Sequence, residues 1–283
     1  MSYPNPEILA ETDWLAAHIS DPDVRVVDCD EFMAYLRLHI DGAIGVRTHH
    51  YLKEPGDSAS GPGIGTHLMP PEQFAKVMGD HGISNDTTVV AYDNFGGLYA
   101  ARLWWSLDYY GHSRCKVLNG GFRKWYEEGR AVSMDTKRIE KAAFKVTAVR
   151  EEICARKDDV VAAIDDKDTV IWDVREAAEY AGTDNRPNKR HGHIPGAVHT
   201  EWLNLTVSPP MRSGLLKPAV DIEKQLAAIG VTPDKRVITH CQAGIRAAYG
   251  VFLLRLMGYP DARNYDASWA EWGNVEDTPI TTG

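Results

Sequence analysis

One pattern occurs twice in this chain, and that repeat constrains the fold more than any other feature. In the first half Val26-Val27-Asp28 is followed by His39-Ile40-Asp41-Gly42-Ala43-Ile44. In the second half Ile171-Trp172-Asp173 is followed by His193-Ile194-Pro195-Gly196-Ala197-Val198. Val89 to Asp93 matches Val237 to Cys241 at an offset of 148, kept by Pro70 with Pro218 and by Gly82 with Gly230. Phe122 to Trp125 matches Trp269 to Trp272 at 147. Anchors spread over both halves of 283 residues predict two similar domains, at 1–140 and 150–283.

Each half alternates short β-branched runs with longer helical stretches, which predicts an α/β fold with a mainly parallel sheet. Residues 24–29, 88–92, 169–174 and 236–240 suit buried strands. Helical patterns over 73–81 and 222–228 end at Gly82 and Gly230, and another over 246–257 stops at Gly258-Tyr259-Pro260. The charged, glycine-poor link over 127–159 is expected to be an ordered strap. Residues 53–71, rich in Gly, Ser and Pro, and the polar, basic 182–191 are expected surface loops able to wall a cleft between the domains.

Composition excludes several classes of function. With 43% hydrophobic and 25% charged residues the chain is globular. A net charge of −9 argues against an electrostatic grip on nucleic acid or anionic lipid, so any bound anion must be held by a local arrangement. No segment reads as a signal peptide or a membrane span. The four cysteines, Cys29, Cys115, Cys154 and Cys241, lie far apart without a CxxC. Reduced thiols in a cytoplasmic monomer are the expectation.

The chemistry concentrates at His240-Cys241-Gln242-Ala243-Gly244-Ile245-Arg246, between a predicted strand and a predicted helix. Backbone N–H groups at a helix start, aided by the helix dipole, favour an anionic sulfur. Gly244 permits the tight turn, and Arg246 adds a fork of donors in the first helical turn. A buried strand-end cysteine is the plain alternative, but the strand–CxxGxR–helix context favours a nucleophile.

At these residues the chain resembles the tandem rhodanese family, which includes thiosulfate and 3-mercaptopyruvate sulfurtransferases. The resemblance extends to the HIPGA stretch at His193 to Ala197 and to Asn264-Tyr265-Asp266-Ala267-Ser268-Trp269. It implies two domains, each with a five-stranded parallel sheet flanked by helices. It also implies that only the second is catalytic, since Asp93 stands where the second half has Cys241. The implied mechanism uses Cys241 as nucleophile and the loop Gln242, Ala243, Gly244, Ile245 and Arg246 as a cradle for a persulfide. A small-molecule sulfur donor and a thiophilic acceptor, such as cyanide, a small thiol or a dithiol protein, would be the partners, with no cofactor.

Arg186 matches one of two arginines expected to hold the carboxylate of mercaptopyruvate, while Glu179 occupies the place of the other. Arg190 could assist, and Ser268 could line the pocket. The neutral CQAGIR loop instead resembles bacterial domains assayed with thiosulfate, which favours that donor over mercaptopyruvate. Two remoter readings are a cysteine phosphatase and a non-enzymatic binding module. The phosphatase cradle wraps five residues between Cys and Arg, whereas four, Gln242 to Ile245, lie here. Asp173 and Arg175 are expected to brace the loop or to form a surface ion pair. His49-His50 and His191-Gly192-His193 give no convincing metal-ligand set.

Overall fold

The computed structural model describes residues 2–48, 52–59, 61–184, 186–207 and 214–283. The first half runs β1 (Leu9–Ala10), α1 (Thr12–His18), β2 (Val24–Asp28), α2 (Phe32–Arg37), β3 (His39–Ile40), β4 (Ile44–Gly45), α3 (Pro71–Asp80), β5 (Thr88–Tyr92), α4 (Leu98–Tyr109), β6 (Cys115–Leu118), α5 (Gly121–Glu127) and β7 (Val132–Ser133). The second runs β8 (Cys154–Ala155), α6 (Lys157–Ala163), β9 (Thr169–Asp173), α7 (Ala177–Ala181), β10 (Val198–His199), α8 (Ala219–Ala228), β11 (Arg236–His240), α9 (Ile245–Leu256), β12 (Ala262–Tyr265) and α10 (Ser268–Trp272).

Two five-stranded sheets result, ordered β1-β6-β5-β2-β4 and β10-β9-β11-β12-β8, with every pairing parallel. The second order is the first read backwards under the sequence repeat. The α/β expectation holds, and so does the five-stranded parallel sheet in each half. Central strands β5 and β11 are apolar because helices cover both faces of a parallel sheet. Gly82 and Gly230 sit at φ +68° and +79° just beyond α3 and α8, the left-handed conformation that ends a helix.

The repeat changes register at one place. β11 begins 148 residues after β5, Arg236 against Thr88, whereas α9 begins 147 after α4, Ile245 against Leu98. The missing residue lies in the loop between them, so the turn after Cys241 is one residue tighter than the turn after Asp93.

α4 and α9 are apolar on nearly all sides because they pack on each other between the halves, with Trp104 edge-on to Phe252 at 5.3 Å. One hydrophobic cluster therefore holds residues from both halves. Each large side chain it buries contributes about 1.5–3 kcal/mol. The strap is ordered as expected. Ala142 N donates to Gly79 O at 2.9 Å, and the Asn85 amide brackets Lys145 at 2.7 and 2.8 Å. Gly79 leaves room for this crossing, since a Cβ there would lie 2.6 Å from Ala142 O. Among the described residues, no helix is long and apolar enough to cross a membrane.

Candidate active site

The loop after β11 turns into α9 through Gly244, which sits at φ +76°. A Cβ at this position would lie 2.4 Å from both the backbone O and Oδ1 of Asp266. Glycine is required here twice over, for its conformation and for its closeness to the neighbouring backbone. Cys241 is 1% exposed as a residue, and it lies on the floor of a cleft of about 530 Å³ between the halves.

The start of α10 fixes the loop from behind. Cys241 N donates to Ser268 Oγ at 3.0 Å, and Ser268 Oγ donates to Tyr265 O at 2.6 Å. Trp269 N and Ala270 N donate to the carbonyls of Cys241 and Gln242 at 3.0 and 2.8 Å. Ser268 has φ +51°, the one non-glycine residue with positive φ among the described residues. The carbonyls of Cys241 and Gln242 are thus bound on the α10 side.

The first half supplies an internal comparison. The Asp93 carboxylate accepts hydrogen bonds from Phe95 N and Gly97 N at 2.8 Å, Tyr99 N at 2.7 Å and Ala100 N at 2.9 Å. A strand–loop–helix unit of this repeat thus forms a ring of amides around an anion. In the first half that anion is the chain's own side chain. In the second half the same place belongs to Cys241.

Arg246 leaves the first turn of α9 and meets Glu179 of α7, whose carboxylate accepts from its Nη1 at 2.5 Å and Nη2 at 2.8 Å. Burial pushes the Glu179 carboxyl up, but the Arg246 hydrogen bonds and the charges of Arg246 and Arg186 bring it below its usual value. Arg186 Nε lies 2.9 Å from Glu179 Oε1 at the cleft wall, with its side chain 41% exposed. Glu176 and Glu201 line the same wall. Phe95, Leu98 and Tyr99 of the first half close the opposite side, facing Trp202 and Leu203 of the second.

Gln242 and Asn188 exchange amide hydrogen bonds at 2.9 and 3.2 Å, so the 182–191 loop does wall the cleft. Arg190 of that loop does not line it. Its guanidinium donates to the carbonyls of Trp272 at 2.8 Å and Thr278 at 2.7 Å, and also to Val275 O, tying down the C-terminal segment. A substrate role for Arg190 is thereby displaced by a structural one. The carbonyl of Trp272, at the end of α10, and those of Val275 and Thr278 beyond it take its donors.

Asp173 and Arg175 form a buried pair rather than a surface one, with Arg175 Nη2 to Asp173 Oδ2 at 2.6 Å. Arg175 also donates to Gly192 O at 2.7 Å and lies 4.3 Å over the Trp269 ring. The pair joins β9, the HIPGA turn and α10. Burial pushes His240 down to about 4 against the pull of Asp173, so the ring is neutral near pH 7. Burial opposes ionisation of Asp173, but His240 and Arg175 outweigh it and hold the carboxyl at about 2. With His240 neutral, Arg175 is the partner that keeps Asp173 charged. His193 Nδ1 meets Tyr180 O at 2.9 Å, the backbone contact expected of a turn histidine. Among the described residues, no cluster of histidine, cysteine or carboxylate side chains could hold a metal; His49 and His50 lie outside them.

The remaining cysteines are buried and held toward the neutral thiol. Burial pushes the thiols of Cys29 and Cys115 well up, and that of Cys154 to about 12. Sequence reasoning missed Asn188 and the pairing role of Glu179. The one available signal was the glutamate's position ahead of the HIPGA turn.

Comparison with known proteins agrees with this geometry. The model of the rhodanese-like domain matches twice, over residues 11–128 and 156–274. The chain is 35% identical to the sulfur carrier protein TtuD of Thermus thermophilus, covering 100% of this chain and 99% of that protein. It is 34% identical to a thiosulfate sulfurtransferase of Azotobacter vinelandii, over 94% of each. Among solved structures, a cysteine persulfide form of EanB with ergothioneine superimposes with a TM-score of 0.88 at 26% identity, over 99% of this chain and 72% of that one.

Proposed function

The chain belongs to the rhodanese-like domain family and carries that domain twice, and from this premise we propose that it is a thiosulfate sulfurtransferase acting through a Cys241 persulfide. The observation that carries the proposal is the amide ring around Asp93, because Cys241 stands at the matching position after β11 in the second half of the repeat. The Cys241 thiolate attacks the outer sulfur of thiosulfate. A new S–S bond forms, the old one breaks, and sulfite departs with the electron pair. An acceptor such as cyanide or a thiolate then takes the outer sulfur and returns the thiolate. The first domain is catalytically silent in this reading, because its ring is filled by a group that cannot leave.

Three features support thiosulfate over mercaptopyruvate or a phosphoester. Among the described residues Arg246 and Arg186 line the cleft, but both pair with Glu179 and Arg246 is held by two hydrogen bonds, which leaves Arg186 as the more available guanidinium where a carboxylate clamp calls for two. The Cys241–Gly244 turn is one residue tighter than the Asp93 turn, which suits a single sulfur better than a phosphoryl group. A relative of similar length is named a thiosulfate sulfurtransferase. A transfer to a carrier thiol rather than cyanide fits the same steps, and the name of TtuD favours it as the acceptor class.

Parallel steady-state kinetics with thiosulfate and mercaptopyruvate, at several acceptor concentrations, test the reading. Parallel double-reciprocal lines and a higher kcat/KM for thiosulfate are expected. A preference for mercaptopyruvate would overturn the donor assignment, and no transfer from either donor would overturn the activity.

A further inference from the structure

The 53–71 loop of the first half reaches under the second. Lys53 is buried, with its side chain 1% exposed, and its Nζ donates to Thr66 O at 2.5 Å and Asp266 O at 3.1 Å. It also lies 3.1 Å from Asp266 Oδ1. Arg102 of α4, equally buried, meets the same oxygen at 2.5 Å. Asp266 in turn abuts Gly244, the residue that starts α9 beside Cys241.

The charges here do not balance. Two cations face one carboxylate, and among the described residues Asp266 is the one carboxylate in ion-pair contact with either. Glu54, next in the chain, faces His67 at 3.3 Å and solvent instead. An unmatched buried charge is costly unless another anion lies near. Burial pushes the Lys53 ammonium down to about 8; Asp266 opposes this, Arg102 adds to it, and a negative Cys241 favours the charged form.

We propose that Lys53, from the half without a cysteine, is a positioning residue for Cys241: with Arg102 it supplies a buried positive charge in excess of Asp266, matched when Cys241 holds an anionic sulfur. The inference rests on the reading of Cys241 as nucleophile and adds a role for the silent half. That half does more than cover the cleft. It lends the charge that favours thiolate and persulfide alike.

The test is alkylation of Cys241 by iodoacetamide, followed by mass, in the full chain and its Lys53→Met and Lys53→Arg variants. Lys53→Met removes the excess charge and leaves the Arg102–Asp266 pair matched. Alkylation is expected to fall about tenfold near pH 7, to converge with the parent at high pH where every thiol is ionised, and to recover in Lys53→Arg. A merely structural lysine would lower the melting temperature and leave the alkylation rate alone, which overturns the proposal. Slow alkylation at every pH overturns it too, because that reports access rather than charge. Should Lys53→Met fail to fold, Arg102→Met removes the other cation and carries the same expectation. Alkylation needs no sulfur donor, so a Lys53 effect without turnover would sink the sulfurtransferase reading alone.

Discussion

Glu179 grips Arg246 with both carboxylate oxygens, and Arg186 Nε lies in ion-pair contact with one of them at 2.9 Å. Two arginines that could each have received an anionic substrate are thus joined through one buried acid. Arg246, its side chain 12% exposed, becomes part of the wall, and Arg186, at 41%, is the more open of the two to solvent.

Removing one partner of such a buried pair leaves a stranded charge. Glu179→Gln is expected to lower stability by about 3 kcal/mol in urea unfolding, and Arg246→Met in the same chain should recover part of that loss. Additive losses in the double variant would show that the two groups do not work as a pair.

The two left-handed glycines Gly244 and Gly230 have φ +76° and +79°, yet only the first is crowded. Gly230→Ala meets nothing within 4 Å and should cost about 1 kcal/mol for backbone strain alone. Gly244→Ala should cost at least about 2 kcal/mol more and abolish transfer, because its methyl would press on Asp266. Equal melting temperatures for the two would contradict the close approach.

Ser268 accepts the Cys241 amide while holding φ +51°. Ser268→Gly relieves the backbone strain and deletes the acceptor, so its melting temperature should change little while transfer slows roughly tenfold. Ser268→Ala keeps the strain and loses the bond, and should be less stable than the glycine variant. Full activity in Ser268→Gly would remove the serine from the machinery.

Asp30 is buried beside Asp93 and Asp28, and burial first, then those two charges, push its carboxyl up to about 8. A carboxyl raised in the folded state favours folding fully below its unfolded value near ~3.9, and that contribution is lost as pH rises through about 8. Asp30→Asn can still accept the Asn94 amide, now at 3.1 Å. The variant should match the parent near pH 4 and exceed it by at least about 1 kcal/mol at pH 8. Equal unfolding free energies at both pH values would contradict this.

Much of the fold was legible because strands and helices leave period and punctuation in a chain. Residues 88–92 and 236–240 are strands within the bounds expected, and Gly82 and Gly230 follow the ends of α3 and α8 as their sequence positions predict. The two-residue edge strands β1, β4, β8 and β10 carry too little pattern to be seen. The place of Cys241 between a strand and a helix was legible from that same period and punctuation. Partners were less so. The spacing that placed Glu179 could not show it gripping Arg246, and a basic loop gave no sign that Arg190 faces away from the cleft. Lys53 and Arg102 left no trace at all, since their meeting with Asp266 is made only when the halves dock.

The most direct test is to incubate the reduced chain with thiosulfate alone, remove the donor and weigh the protein intact. The account predicts the addition of one sulfur atom, mapped to Cys241, released by cyanide and absent in Cys241→Ser. An unchanged mass, or sulfur found on Cys29, Cys115 or Cys154 instead, would contradict it.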